Sequence, residues 1–285
     1  MIRTRLLPLV ALLVVVAAGC NWPNTPPPGA APVRFRDPVF NAVTVTSNVS
    51  YGSAVNGSSQ TIDLKTDLYQ PTGDTSTSRP AIIWVHGGSF CCGTKTSAEL
   101  VDQANVFAKA GYFNASIDYR LESPGCSGNR SNCILAIQEA TADAQTAVRY
   151  FRTNAATYGI DPDRIAIAGS SAGAITALNV AYSTSEDTSG AGVRSAVGIS
   201  GAQLVSGSIS RGDAAVLDFH CTTDPLVAYS WAQNTISSAQ ALGLPAYLTS
   251  WDETCHVPYA AHKQQILDQT TNFLWWSMDL AHASV

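Results

Sequence analysis

One serine in the chain stands where a hydroxyl could be made reactive. In Gly169-Ser170-Ser171-Ala172-Gly173, glycines lie two residues either side of Ser171. That spacing suits a sharp strand-to-helix turn, which lifts the central hydroxyl clear of a sheet. The flanks agree, with a short apolar run at Arg164–Ala168 and a small-residue helical stretch at Ala172–Ala181. Ser171, rather than Ser170, is therefore the candidate nucleophile. A serine hydroxyl is weak at neutral pH and needs an adjacent base. Of the five histidines, His220, His256, His262 and His282 follow Ser171, while His86 precedes it. His256 lies in a loop just after an expected strand at Pro245–Trp251, the position a base should take. His262 and His282 fall on the expected last helix, where a solvated or packing histidine is ordinary, and His220 ends a strand. The orienting acid belongs in the preceding strand's loop, His220-Cys-Thr-Thr-Asp224-Pro225, which offers Asp224. A plain Asp-Pro turn is the competing reading of that loop. Asp218, Asp252 and Glu253 stay open as acids.

A second loop could complete such a site. His86-Gly87-Gly88-Ser89-Phe90 follows a buried apolar run, and consecutive small residues there free backbone N–H groups to point at a developing oxyanion. The N–H of Ala172, next to the nucleophile, would be the other donor. By itself the loop could equally be a turn.

Elements must bring these loops together. Val43–Ser50 and Thr61–Tyr69 alternate like antiparallel strands around a Gly/Ser/Asn turn. Ala81–His86, Tyr112–Tyr119, Arg164–Ala168, Ser195–Ser200, Ala214–His220 and Pro245–Trp251 read as further strands. Ser97–Lys109, Ile134–Tyr158, Ala172–Ala181, Val227–Leu242 and Ala261–Leu280 carry helical patterns. Alternating strands and helices predict an α/β fold: a doubly wound, mainly parallel sheet with antiparallel strands at its N-terminal edge. Its ligand should lie at the carboxyl ends of the strands. Only Gly201–Asp213 separates two of the late strands, which leaves no room for a large cap and predicts an open site.

Taken together, the chain resembles serine esterases of the α/β-hydrolase fold. It is most similar to the branch holding feruloyl-type esterases, kynurenine formamidases and carboxylesterases. The matching segments are DLYQP (67–71), IIWVHGGSF (82–90), SIDYRL (116–121), YGIDPDRIAIAGSSAGA (158–174), HCTTDPLV (220–227) and the loop around His256. The resemblance implies a Ser171–Asp224–His256 triad, with oxyanion donors from Gly88, Ser89 and Ala172. It also implies that Asp118 and Arg120 are structural. Ser89 stands where a third glycine is usual in the hormone-sensitive-lipase branch. Ser170 replaces a common acidic residue, and Ala174 a common glycine. The implied activity is hydrolysis of carboxylic esters through an acyl-enzyme. An amidase or peptidase of the same fold, or an inactive surface-binding lipoprotein, are the alternatives.

The 285 residues are 46% hydrophobic and only 13% charged, enough apolar material for a sizeable core. A net charge of −5 without a basic run argues against nucleic acid as a partner. Residues 1–19 read as an export signal, with Arg3 and Arg5 ahead of an apolar stretch from Leu6 to Ala18. That stretch is shorter than the roughly twenty residues that a membrane span needs. Small residues before Cys20 resemble a bacterial lipobox, so Cys20 is the expected lipidation site and the sole membrane contact. A secreted protein is the alternative. Asn21–Pro38 carries six prolines and reads, with Cys20 and Val39, as a tether ahead of a hydrolase domain over 40–285. Of the remaining cysteines, Cys126 with Cys133 and Cys221 with Cys255 are the expected disulfides. Cys91 and Cys92 are left bonded to each other or free. No pair has zinc-site spacing, so neither metal nor cofactor is expected.

Overall fold

The computed structural model describes residues 21–183, 189–205 and 207–283. The leader over 1–19 and Cys20 lie outside these residues. Eight strands form one sheet: β1 Val43–Val55, β2 Thr61–Pro71, β3 Arg79–Val85, β4 Phe113–Ile117, β5 Ile160–Ser170, β6 Ser195–Ile199, β7 Ala215–Cys221 and β8 Ala246–Trp251. Their order is β1-β2-β4-β3-β5-β6-β7-β8. The β1–β2 and β2–β4 pairs are antiparallel, and every later pair is parallel. This is the predicted α/β architecture.

Every residue of β3 is buried, and alternate side chains feed opposite layers. Ala81, Ile83 and Val85 join a core that includes residues of α2 (Arg130–Thr153), α4 (Ala172–Ala181) and α5 (Tyr229–Ala241). Ile82 and Trp84 join the core under α1 (Ala98–Ala110) and α6 (Tyr259–Ser277). A two-residue side-chain period on a strand covered on both faces produces that partition. Helix α4 is buried at all ten positions, because it starts inside the sheet's crevice and is built of small residues.

Three details depart from the sequence expectations. The expected helix over 134–158 starts four residues earlier and is cut at Asn154, with the single turn α3 (Ala155–Tyr158) following. Asn129 caps the true start, its side chain accepting the Asn132 N–H at 3.0 Å. Strand β1 runs on to Val55 across two irregularities in register. The largest difference is the expected tether. From Asn21 onward it lies along the domain: Gln269 donates to Asn24, Asn272 to the Pro23 carbonyl and Trp276 to the Thr25 carbonyl. Phe35 is 2% exposed and packs edge-on against Tyr112. The proline count describes a stiff chain, but Trp22, Val33 and Phe35 give that chain an apolar side, and stiffness lowers the entropy lost on docking it.

Among the described residues no helix is long and apolar enough to cross a membrane.

Candidate active site

Strand pairing sets the site. β3 pairs with β5, with Val85 opposite Gly169, so the loop leaving β3 meets the turn leaving β5. β7 pairs with β8, with Cys221 opposite Trp251, so the loops that follow them run side by side. All four loops leave the carboxyl ends of their strands.

Ser171 sits at φ 53° and ψ −120°, a strained conformation between β5 and α4. Its N–H donates to the Ile199 carbonyl at 2.8 Å, which ties the turn to the end of β6. The two glycines are there for space. A Cβ at Gly169 would stand 2.6 Å from the Val85 carbonyl oxygen, and one at Gly173 would overlap the same carbonyl. Ser170, its side chain turned the other way, donates to Glu99 at 3.1 Å.

The Ser171 hydroxyl lies 2.8 Å from His256 Nε2, and His256 Nδ1 lies 2.8 and 3.0 Å from the two carboxylate oxygens of Asp224. With Nδ1–H given to the carboxylate, Nε2 is left as the acceptor for the hydroxyl proton. The Asp224 side chain is fully buried. Burial alone would raise its pKa, but hydrogen bonds from His256, from the Leu226 and Val227 N–H groups and from Ser200 outweigh it and hold the pKa below the usual carboxylate range. The Leu226 and Val227 bonds, at 2.9 and 3.0 Å, make Asp224 part of its own turn. The Asp-Pro turn reading and the acid reading are thus compatible in geometry, since one carboxylate both closes its own turn and faces His256. The Cys221–Cys255 disulfide joins the acid loop to the base loop, with Cα atoms 5.7 Å apart.

The other candidates have other partners. His220 is buried between Asp218 at Nδ1 and the Val227 carbonyl at Nε2. Burial opposes its charged form, yet the hydrogen bond and charge of Asp218 prevail and raise its pKa. Burial also raises that of Asp218. His262 stacks on Trp251 and meets Glu253, while His282 meets Asp279. Asp252 accepts from Thr222. His86 is buried against Tyr119 at the root of its loop.

That loop is drawn tight around the turn. A Cβ on Gly87 would lie 3.2 Å from the Ser171 Cβ, which places the following residues beside the nucleophile. Gly88, Ser89 and Phe90 have φ of 121°, 53° and 65°. Among the described residues neither the Gly88 nor the Ser89 N–H donates to a backbone carbonyl, and Ala172 opens α4, where an N–H has no acceptor within the helix. Asp118 and Arg120 hold framework instead: Asp118 takes the Lys95 N–H, and Arg120 pairs with Asp143.

Sequence reasoning missed Ser200. Its hydroxyl accepts the Val257 N–H at 3.0 Å and reaches Asp224, bracing base loop and acid together from the end of β6. The available signal was its place as the last residue of an expected strand, on the same sheet edge as Ser171.

Among the described residues the one cluster with metal-ligand proximity is Cys221, Glu253 and Cys255, and its two sulfurs are bonded to each other. No thiolate is left there for an ion.

A family profile described as BD-FAE matches residues 66–242. Curated relatives include phenmedipham hydrolase of Pseudarthrobacter oxydans, 30% identical over 162 residues, which are 55% of this chain and 27% of that protein. Another is carboxylesterase 3B of Mus musculus, 31% identical over 113 residues, 39% of this chain and 19% of that one. The chain thus spans a minor part of the length of these relatives. Among solved structures, an esterase of Thermogutta terrifontis superposes with a TM-score of 0.67 at 20% identity, covering 83% of this chain and 93% of that one. It shows the same fold.

Proposed function

The chain belongs to the BD-FAE family, and on that footing we propose that it is a serine hydrolase of carboxylic esters working outside the cytoplasm. The observation that carries this reading is the unbroken Ser171–His256–Asp224 hydrogen-bonded chain at the carboxyl edge of the sheet. Ser171 attacks the ester carbonyl carbon while His256 Nε2 takes the hydroxyl proton. Buried Asp224 fixes the tautomer and stabilises the imidazolium that forms. The N–H groups of Ser89 and Ala172, with Gly88 beside them, receive the oxyanion. His256 returns the proton to the leaving alcohol, and water then releases the acyl group by the same path in reverse.

Relatives named as a methylesterase and a carboxylesterase support an ester as the substrate. Ser171 is half-exposed, and among the described residues between β6 and β7 no helix covers it. An open groove of about 750 Å³ is lined by Ile134, Ile137, Leu204, Val205 and Trp231 and by Cys126, whose N–H donates to the Ser89 carbonyl, while Ser171, Asp224 and His256 lie outside its lining. Such a groove would take the apolar part of an ester without enclosing it. The reading includes export and lipidation at Cys20. Because the chain is already docked from Asn21, an acylated Cys20 would hold the domain close to the membrane rather than on a long stalk. Labelled palmitate incorporated by the wild type and lost in Cys20→Ala is the expected result for that part.

Turnover of p-nitrophenyl acetate by the wild type, and its fall by at least about a thousandfold in a folded Ser171→Ala variant, is the test of the catalytic reading. Equal rates in the two proteins would reject it.

A further inference from the structure

Four cysteines of the described chain are bonded in pairs, which leaves Cys91 and Cys92 as thiols. They are neighbours in sequence, and their sulfur atoms lie 2.9 Å apart. Cys92 is exposed and Cys91 half-buried. Both backbone N–H groups donate to the Gly88 carbonyl, at 3.1 and 3.0 Å, and the Cys91 sulfur lies 3.5 Å from the same oxygen. The three residues before the pair, Gly88, Ser89 and Phe90, all have positive φ. A run of that kind is costly and persists only where its surroundings hold it. The Cys126 N–H on the Ser89 carbonyl and the Glu122 N–H on the Phe90 carbonyl hold one side, and the Cys91–Cys92 peptide holds the other.

We propose that Cys91 and Cys92 form a reversible dithiol–disulfide site open to small-molecule disulfides, and that closing it disarms the oxyanion loop. The exposed Cys92, as thiolate, attacks one sulfur of an external disulfide RSSR. It forms a mixed disulfide and releases one RSH. The Cys91 thiolate then attacks the Cys92 sulfur, forms the Cys91–Cys92 bond and releases the second RSH. The two protein thiols give up two electrons and two protons, and RSSR is reduced to two RSH. Adjacent residues hold their Cα atoms about 3.8 Å apart across a trans peptide, short of the usual disulfide span. The bond is therefore strained and easily reduced, which makes it a switchable site rather than a permanent brace. Ring closure must twist the Cys91–Cys92 peptide, whose N–H is one of the two donors on the Gly88 carbonyl, and the neighbouring Ser89 donor moves with it.

The effect on turnover rests on the proposed catalytic role of this loop; the thiol chemistry does not. The full chain, mildly reduced and then treated with oxidised glutathione, is followed by thiol titration, peptide mass and p-nitrophenyl acetate kinetics. Expected are loss of both thiols, a 91–92 peptide lighter by two hydrogens, and kcat lowered about tenfold or more with KM little changed. Dithiothreitol should reverse all three. Cys91→Ser and Cys92→Ser variants should keep their turnover through the same cycle. A glutathione adduct that stays on Cys92, or thiols that persist, would overturn the site. Ring closure with unchanged kcat would overturn its link to the oxyanion loop. Absence of ester turnover in the reduced wild type would instead fail the catalytic reading, leaving thiol count and mass to decide the site.

Discussion

The carboxylate of Asp224 shows how much a single side chain does here. It is buried, yet it receives His256, two backbone N–H groups of its own turn and the Ser200 hydroxyl, and these keep it ionised. Replacing it by Asn keeps the shape but favours the wrong imidazole tautomer, so kcat should fall by about 10³ to 10⁴ with the melting profile retained. Because the folded pKa is depressed, the ionised group contributes stability above the unfolded carboxylate range, about pH 4, and that contribution fades as pH falls through the lower folded value. Urea unfolding from pH 6 down to pH 3 should therefore show the gap between wild type and Asp224→Asn closing below about pH 4. A gap that widens instead would mean that the carboxylate is not held ionised. Ser200→Ala removes the hydroxyl shared by Asp224 and the Val257 N–H. It should cost about 1 to 3 kcal/mol, read by the same unfolding, and lower kcat more than it raises KM.

At the scale of elements, the turn between β5 and α4 leaves least freedom. Gly173→Ala would drive a methyl into the Val85 carbonyl, the last residue of β3, and neither backbone can retreat within a packed sheet. A loss of about 3 kcal/mol or more is expected in chemical denaturation, together with lost turnover. The Cys221–Cys255 bond closes a 34-residue separation across the β7 and β8 loops. The Cys221→Ser/Cys255→Ser double variant should lose about 3 to 4 kcal/mol on the chain-entropy view, with turnover falling as His256 loosens. These same elements explain what could be read from the sequence. The elbow was legible because its glycines are demanded locally. Asp224 and His256 were legible because each follows a strand whose pattern is plain, and neighbouring parallel strands put consecutive loops side by side. Ser200 was not, since its role comes from three loops meeting. The docking of residues 21–40 was hidden behind their prolines, because whether Trp22 and Phe35 find partners depends on where α6 and α1 lie.

At the scale of the molecule, one sheet covered on both faces fixes four loops at one edge, and an N-terminal segment wraps the flank behind it. The helices bury β3 to β7 from both sides, so the site can be open to solvent without weakening the framework beneath it. Chemistry on an exposed loop cluster above a rigid sheet is a general arrangement of such folds. Here it predicts reach towards bulky esters rather than enclosure of long chains. In an acyl and alcohol panel, kcat/KM should change little with alcohol size and should fail to rise with acyl chains beyond medium length. A steep rise with long chains would contradict that openness. Ester turnover by this site requires Ser171 to be an activated nucleophile, and reaction with a fluorophosphonate followed by peptide mass mapping measures that directly. One adduct per chain, on Ser171, with ester turnover lost in step and no adduct in His256→Ala, is the predicted result. An unlabelled Ser171 in protein that still hydrolyses esters would contradict it.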